Sequence, residues 1–315
     1  MAGDDTPVRI GHLSTLYHTA FLLRGTSLLE DAGLRATWRL FASGPDIISA
    51  MQEGTLDLGY IGLPPVIIGI DRGLRLACIA GGHVEGTVLI AGPGIRALAE
   101  CRDLREFLKQ FSGRAIGTPP KGSIHDVITN ELLREHGIHD VTVKNYPWAD
   151  YLSDALQQGE IAAAAGTPAL AVTAARYGNA RLVVPPNRFW PFNPSYGIVV
   201  MREMLKKKEV LVRFLAAHES ACELIRQDPR SAAGIVAGTT GMVDPAFVLD
   251  TYRISPKYCA ALPPEYRAST MRFARVLHDL GYTRRLVDER EIFETTLIDA
   301  IHTGRHHYLD GISIF

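Results

Sequence analysis

Two stretches of this 315-residue chain read as copies of one another. The first runs VRIGHLST, an apolar-periodic segment ending at Gly33, ATWRLF, ASGPD, IISAMQEG and TLDLGYIGLPP. The second runs RAIGTPPKGS, a similar segment ending at Gly137, VTVKNY, PWAD, YLSDALQQG and EIAAAAGTP. Glycines keep nearly the same step in both: Gly11, Gly33, Gly54 and Gly62 against Gly117, Gly137, Gly159 and Gly166. Such self-similarity means that one supersecondary unit is used twice. In the first copy VRIGHL, TWRLF and TLDLGYIG are β-rich, while residues 20–30 and 45–52 carry helical spacing. The pattern predicts β-α-β-α-β units with right-handed crossovers, hence an α/β fold of two lobes, each a β-sheet flanked by helices. Two lobes imply a cleft between them.

After Pro64-Pro65 a further helix is expected, since Pro is well tolerated in a first turn, and LRLACIAGG follows as a strand. TVLIAG comes next, then the second copy, which ends in RLVVPP, the loop NRFWPFNP and the strand YGIVVM. The segments near 83–87 and 191–197 are expected to be two crossings. Lobe 1 is then 7–85 plus 196–315, and lobe 2 is 86–195. From Glu203 the pattern is helical: Leu211, Phe214, Leu215, His218, Cys222 and Ile225 fall on one face. Asp244-Pro245 starts another helix, and two more patterns cover 267–280 and 289–301. These helices are expected to cover lobe 1.

Composition narrows the function. With 33 basic and 34 acidic residues, and no basic run interleaved with aromatics, nucleic acid is excluded as a partner. The longest uncharged stretch, 161–175, is too short to span a bilayer and contains Gly166 and Pro168. Cys78, Cys101, Cys222 and Cys259 show no CxxC or Cys/His spacing, so free thiols are expected, with no metal and no cofactor. The expected state is a monomer holding a small molecule.

Ligands of open parallel sheets sit beyond the carboxyl ends of strands, where helix N-termini present unpaired N–H groups. Here those loops are 12–18, 42–46 and 62–65 in the first copy and 118–125, 147–150 and 166–168 in the second. Lys121-Gly122-Ser123-Ile124-His125-Asp126 fits a glycine turn followed by an S-x-x-D cap, a start that also offers N–H groups to an anion. Ser43-Gly44-Pro45-Asp46 is a weaker second case, because Pro45 removes a donor and Asp46 adds negative charge. His12, His18, His83 and His125 lie nearest the presumed cleft, as neutral hydrogen-bonding groups rather than metal ligands. Glu85 fits either a cationic ligand group or a hinge pair. Tyr17, Trp148 and Trp190 offer aromatic cover for an apolar ligand body, with Trp148 and Trp190 closing over it. Lys121 and Arg188 are the basic candidates. Gly166 and Thr167 complete the set, and no catalytic residue is assigned.

The segments VRIGHLS, SGPDIISAMQEGTLDLGYIGLPPVI, IGTPPKGSIHDVITNELLREHGI and ALQQGEIAAAAGTPA resemble the periplasmic solute-binding proteins of ABC importers. The branch is that of sulfonate, nitrate and taurine, which also includes the thiamine-pyrimidine-precursor binders. The resemblance covers most of residues 7–200. It implies two lobes joined by two strands, hinge closure on a small organic anion, and an ABC permease and ATPase as partners. Positions matching family ligand loops are Ser14, Thr15, Ser43, Gly44, Gly62, Leu63, Pro64, Gly122 and Ser123. Two departures stand out. Ala162 to Ala165 replace a segment that holds Asp57 in the first copy, and MAGDDT in front of the first strand contains no apolar leader. The expectation is a cell-envelope protein with its leader removed; a cytoplasmic ligand sensor is the alternative. The same fold also carries enzymes. Aryl-sulfinate desulfinases place a nucleophilic Cys in the loop after the first strand, where this chain has His12, Ser14 and Thr15. A cofactor-free lyase on an aromatic acid, with His18 or His125 as acid or base, is the enzymatic alternative. Without a nucleophile paired to a base, binding without turnover is the expectation.

Overall fold

The structure, a computed structural model, describes residues 7–312; the MAGDDT segment lies outside them. Ten strands form two separate five-stranded sheets. The first holds β1 (Val8–His12), β2 (Ala36–Leu40), β3 (Leu58–Ile61), β4 (Leu76–Val84) and β10 (Pro194–Met201). The second holds β5 (Val88–Ala91), β6 (Ala115–Thr118), β7 (Thr142–Asn145), β8 (Ala163–Gly166) and β9 (Arg181–Val184). Their orders are β2-β1-β3-β10-β4 and β7-β6-β8-β5-β9. β1 pairs parallel with β2 and β3, as β6 does with β7 and β8. In each sheet the antiparallel strand, β10 or β5, is the one that has just crossed from the other lobe.

The repeated glycines have repeated causes. Gly11 pairs with Gly59 and Gly117 with Ala164 at equivalent places in the two sheets. A Cβ would stand 2.6 Å from Leu56 Cδ1 at Gly11 and 2.5 Å from Ile161 Cδ1 at Gly117, both far inside contact distance. Gly33, Gly54, Gly137 and Gly159 all have φ between 63° and 72°, the left-handed exit from a helix that glycine takes without strain. The replaced acidic residue has a cause as well. Arg9 and Asp57 form a 2.7 Å ion pair, and the equivalent positions of the second copy are the partly buried Ala115 and the buried Ala162. A surface ion pair in one lobe is an apolar contact in the other.

Two expectations are corrected. The helix over 20–30 is split into Ala20–Gly25 and Leu28–Asp31, with Thr26 extended between them. Gly25 packs so closely on Thr239 and Ile235 that any Cβ would collide, and this contact replaces the missing turn. The C-terminal helices cover both lobes rather than the first alone. Helix Lys208–Gln227 buries Leu211, Phe214, Leu215, His218, Cys222 and Ile225 on one face, as its spacing predicts. Helix Pro245–Ile254 instead packs on Pro168–Tyr177 of the second lobe, and Pro264–Asp279 touches both Leu63–Asp71 and Ile124–Glu135. Charge follows the same contacts: Arg176 reaches Asp250 at 2.6 Å and Asp244 at 3.2 Å, and Arg272 reaches Glu135 at 3.4 Å. No helix of the described residues is long and apolar enough to cross a membrane.

Candidate ligand-binding site

A cavity of about 60 Å³ lies between the lobes, lined by Ser14, Thr15, Tyr17, His18, Ser43, Gly44 and Gly62 from one side and Pro119, Ser123, Ile124, His125, Ala149 and Thr167 from the other. Four helices start at its wall: Gly44–Gln52, Leu63–Asp71, Ile124–Glu135 and Pro168–Tyr177. Proline occupies the first turn of three of them, as Pro45, Pro64 with Pro65, and Pro168, and proline has no N–H to give. Only Ile124–Glu135 keeps a full first turn of backbone donors. Its cap is the S-x-x-D arrangement: Asp126 N–H donates to Ser123 Oγ at 3.3 Å, and Gly122 N–H donates to Asp126 Oδ2 at 2.8 Å. Asp126 is itself consumed by hydrogen bonds from Asn130, Asn145 and Tyr282. No Lys or Arg among the described residues lines the cavity, so backbone N–H and hydroxyl groups are its donors.

One wall is aromatic. The His18 ring lies 4.1 Å from Tyr196, 5.1 Å from Tyr17 and 6.1 Å from Tyr60, centroid to centroid. Burial, with a smaller contribution from His12 and His83, holds its pKa well below the ordinary histidine range, so the ring is neutral. Its Nδ1 is buried without a hydrogen-bond partner, an expensive state for a polar atom unless something else satisfies it. Across the cavity, burial lowers His125 to about 4, and its Nδ1 meets Thr87 Oγ1 at 3.1 Å. Beside the cavity, and sharing Ser14, Thr15, Ala149 and Thr167 with it, a groove of about 320 Å³ opens past Asp150, Met242 and Phe247. Partial burial raises the Asp150 carboxyl, while a hydrogen bond from Ser14 opposes that shift.

The crossings behind the cavity carry strain. Glu85 and Phe192, neither of them glycine, have φ of 61° and 56°. Phe192 N–H donates to Glu85 Oε1 at 2.8 Å, Glu85 N–H donates to Asn193 O at 2.7 Å, and Lys257 pairs with Glu85 Oε2 at 2.7 Å. Both ring nitrogens of His83 are engaged, by Ser195 Oγ at 2.9 Å and Ser255 O at 2.7 Å.

The sequence candidates therefore fall into two groups. Ser14, Thr15, Tyr17, His18, Ser43, Gly44, Gly62, Ser123, His125 and Thr167 meet at the cavity. Leu63, Pro64, Gly122 and Gly166 stand directly behind that wall, in the helix starts and the end of β8. The others require correction. His83 and Glu85 belong to the crossings, where their polar atoms are already paired. His12 is a core group whose ring nitrogens meet Leu13 O and Arg24. Trp190 is 1% exposed, stacked 4.5 Å from Phe273 and capped by the Arg272 guanidinium at 3.9 Å, so it cannot cover a ligand. Lys121 lies outside, over the Tyr282 ring, and Arg188 is exposed. Trp148 is half-buried and lines neither the cavity nor the groove. Ser195 was not legible in the sequence. It follows an irregular crossing with no motif, yet its hydroxyl takes the Gly86 N–H at 2.6 Å and its side of β10 lines the cavity.

A family model described as the NMT1-like family matches residues 2–238. Proteins of Brucella abortus and Brucella suis, provisionally named as binding proteins, are 27% identical over 137 residues, which is 43% of this chain and 39% of each relative. The matched part thus spans well under half of these curated relatives. Among solved structures, the ligand-binding component of an ABC-type import system from Staphylococcus aureus, with zinc bound, has a TM-score of 0.79 at 15% identity over 93% of this chain and 97% of that one. The alkanesulfonate-binding protein of Xanthomonas axonopodis bound to MOPS gives 0.77 at 18% identity, covering 94% and 100%. The periplasmic nitrate-binding protein of Synechocystis gives 0.78 at 12%, covering 95% and 89%. At such identities the likeness is one of fold.

Proposed function

The chain belongs to the NMT1-like family, and from that premise we propose that it is the solute-binding component of an ABC-type importer, capturing a small organic anion between its lobes in the periplasm. The observation that carries this reading is the cavity itself. It joins both lobes, holds hydroxyl and backbone donors, and has one helix start with no proline in its first turn. Such a terminus favours negative charge by roughly 0.3–1 kcal/mol when exposed and up to about 2 when partly buried, enough to orient an anion without an arginine. The aromatic wall around His18 receives the apolar part of the solute. With about 60 Å³ available between the lobes, entry requires them to part. Lobe 1, residues 7–85 and 196–315, would then rotate against lobe 2, residues 86–195, about the crossings at Glu85 and Phe192. The closed form is what a permease and its ATPase would recognise. Binding without chemistry agrees with a cavity whose polar groups are hydroxyls and neutral imidazoles. The hydroxyl–imidazole pair at its wall, Ser195 Oγ and His83 Nδ1 at 2.9 Å, also takes the Gly86 N–H at 2.6 Å, so Ser195 ties the crossings together.

Mass spectrometry of the solute that co-purifies names the ligand, and incubation with that solute reads turnover directly. Ser123→Asp is the structural test, since Asp is an equally good cap but adds a negative charge at the cavity wall. Calorimetry should show affinity reduced by roughly tenfold or more, the equivalent of about 1.4 kcal/mol, in a protein that remains folded. Unchanged affinity would place the anionic end elsewhere. Repeated conversion of the solute would reject pure binding.

A further inference from the structure

We propose that Glu219, Cys259 and His302, none of which lines the solute cavity, form a binding site for a zinc-like divalent cation in lobe 1. The three come from separate elements: Glu219 from helix Lys208–Gln227, Cys259 from the segment after Pro245–Ile254, and His302 from the end of Thr296–Ile301. One donor atom from each lies within 4.8 Å of the other two. Cys259 is fully buried, and the side chains of His302 and Glu219 are 7% and 18% exposed, so this is no chance meeting of surface charges.

The three donor groups face one another, and Cys259 Sγ also accepts the His307 N–H at 3.3 Å, a backbone contact of the kind that supports a metal-bound thiolate. Arg226 takes Glu219 Oε1 at 3.2 Å, whereas Oε2 is buried and accepts no hydrogen bond. His302 Nδ1 faces that oxygen at 3.3 Å, close to the ~3.4 Å that two ligands about 2.1 Å from a tetrahedral zinc keep from each other. The other ring nitrogen, Nε2, lies 3.0 Å from Arg305 O. With the ion bound, an N–H there would hold the ring with Nδ1 deprotonated, the usual support of a metal-bound imidazole by a backbone carbonyl. Cys259 Sγ stands 3.8 Å from that same Nε2, so binding through Nδ1 needs a turn of the thiol or the ring; the thiolate is the soft ligand that selects zinc over magnesium or calcium. One thiolate and one carboxylate neutralise the dication, and water completes the four positions. Cys259 N–H also donates to Gly82 O at 3.2 Å, on the strand that leads into the first crossing. The ion would therefore tie the C-terminal segment to the base of the hinge.

The test uses the full chain, stripped with a chelator and titrated with Zn²⁺ and Co²⁺. One equivalent should bind, Zn²⁺ should raise the melting temperature, and Co²⁺ should develop a thiolate-to-metal absorption band. Cys259→Ser should lose that band and bind at least tenfold more weakly, while Cys222→Ser keeps both. Should Cys259→Ser fail to fold, Glu219→Gln and His302→Asn carry the test, each expected to weaken binding at least tenfold. Absence of stoichiometric binding by folded wild type overturns the site. So does a cobalt band that survives Cys259→Ser, or full affinity in both Glu219→Gln and His302→Asn.

Discussion

His18 separates binding from stability in a single side chain. Its Nδ1 is buried and unpaired, so the folded protein carries a cost that a solute hydrogen bond would remove. His18→Phe keeps an aromatic ring against Tyr196 and deletes the orphan atom. Thermal unfolding should therefore show stability unchanged or raised, by about 1 kcal/mol or roughly 2 °C, while solute affinity falls about tenfold. Loss of stability with affinity intact would make His18 a packing residue only. The other buried imidazoles set the pH response. Burial holds His83 at about 3 and His125 and His218 at about 4, below the ordinary value near 6.5. As pH falls from 6.5 towards 4, the unfolded chain takes up protons that the folded chain refuses, so the stability these three contribute is complete above 6.5 and is lost through that window. Each histidine contributes a slope of about 1.4 kcal/mol per pH unit. Urea midpoints should fall steeply between pH 6.5 and 4.5, less steeply in His218→Gln; a flat profile would contradict neutral burial. Residue chemistry was partly legible beforehand. S-x-x-D at Ser123 is a local signal and the cap forms as read, whereas Trp190 was misread because a tryptophan in a loop looks the same whether it faces a ligand or Phe273.

At the level of elements, the contact between Pro168–Tyr177 and Pro245–Ile254 joins a C-terminal helix to the second lobe. Arg176 spans it to two carboxylates, and its guanidinium also lies 5.3 Å from the Phe247 ring. Solvated pairs of this kind contribute roughly 0.2–1 kcal/mol each, a small share of global stability. If the lobes part as proposed, the same energy changes the open fraction several-fold. Arg176→Gln should leave the urea midpoint nearly unmoved yet speed solute release about three-fold in stopped flow; an unchanged release rate would show that this contact persists in the open form. The strands and most helices could be read from the chain because period, glycine exits and proline starts are local. The partner of the C-terminal helices could not. An amphipathic face says that a helix must be covered, and it is silent on which lobe does the covering. Glu219, Cys259 and His302 were hidden for a related reason: their separations match no short motif, and only the packing of three elements brings them together.

For the molecule as a whole, Gly62 and Ile124 mark the place where the lobes touch. A Cβ on Gly62 would lie 3.6 Å from Ile124 Cβ, within the range that a disulfide spans. The pair Gly62→Cys with Ile124→Cys should therefore oxidise readily and lock the cleft. Oxidised protein is expected neither to admit nor to release solute, and reduction should restore exchange. Exchange at the wild-type rate in the oxidised form would mean that the cavity is reached without opening. The threading of the chain has a different consequence, for the order of assembly. All strands of the second sheet lie between Val88 and Gly166 or follow by Val184, so that unit can complete itself from one contiguous stretch. The first sheet cannot, because β10 sits between β3 and β4 and is made last. During synthesis β1 to β4 wait, half-paired, for a strand that emerges more than a hundred residues after β4 begins. The inner unit is therefore expected to close before the outer one, with the late insertion of a central strand as the slow step, a long-range pairing of the kind that lowers folding rates.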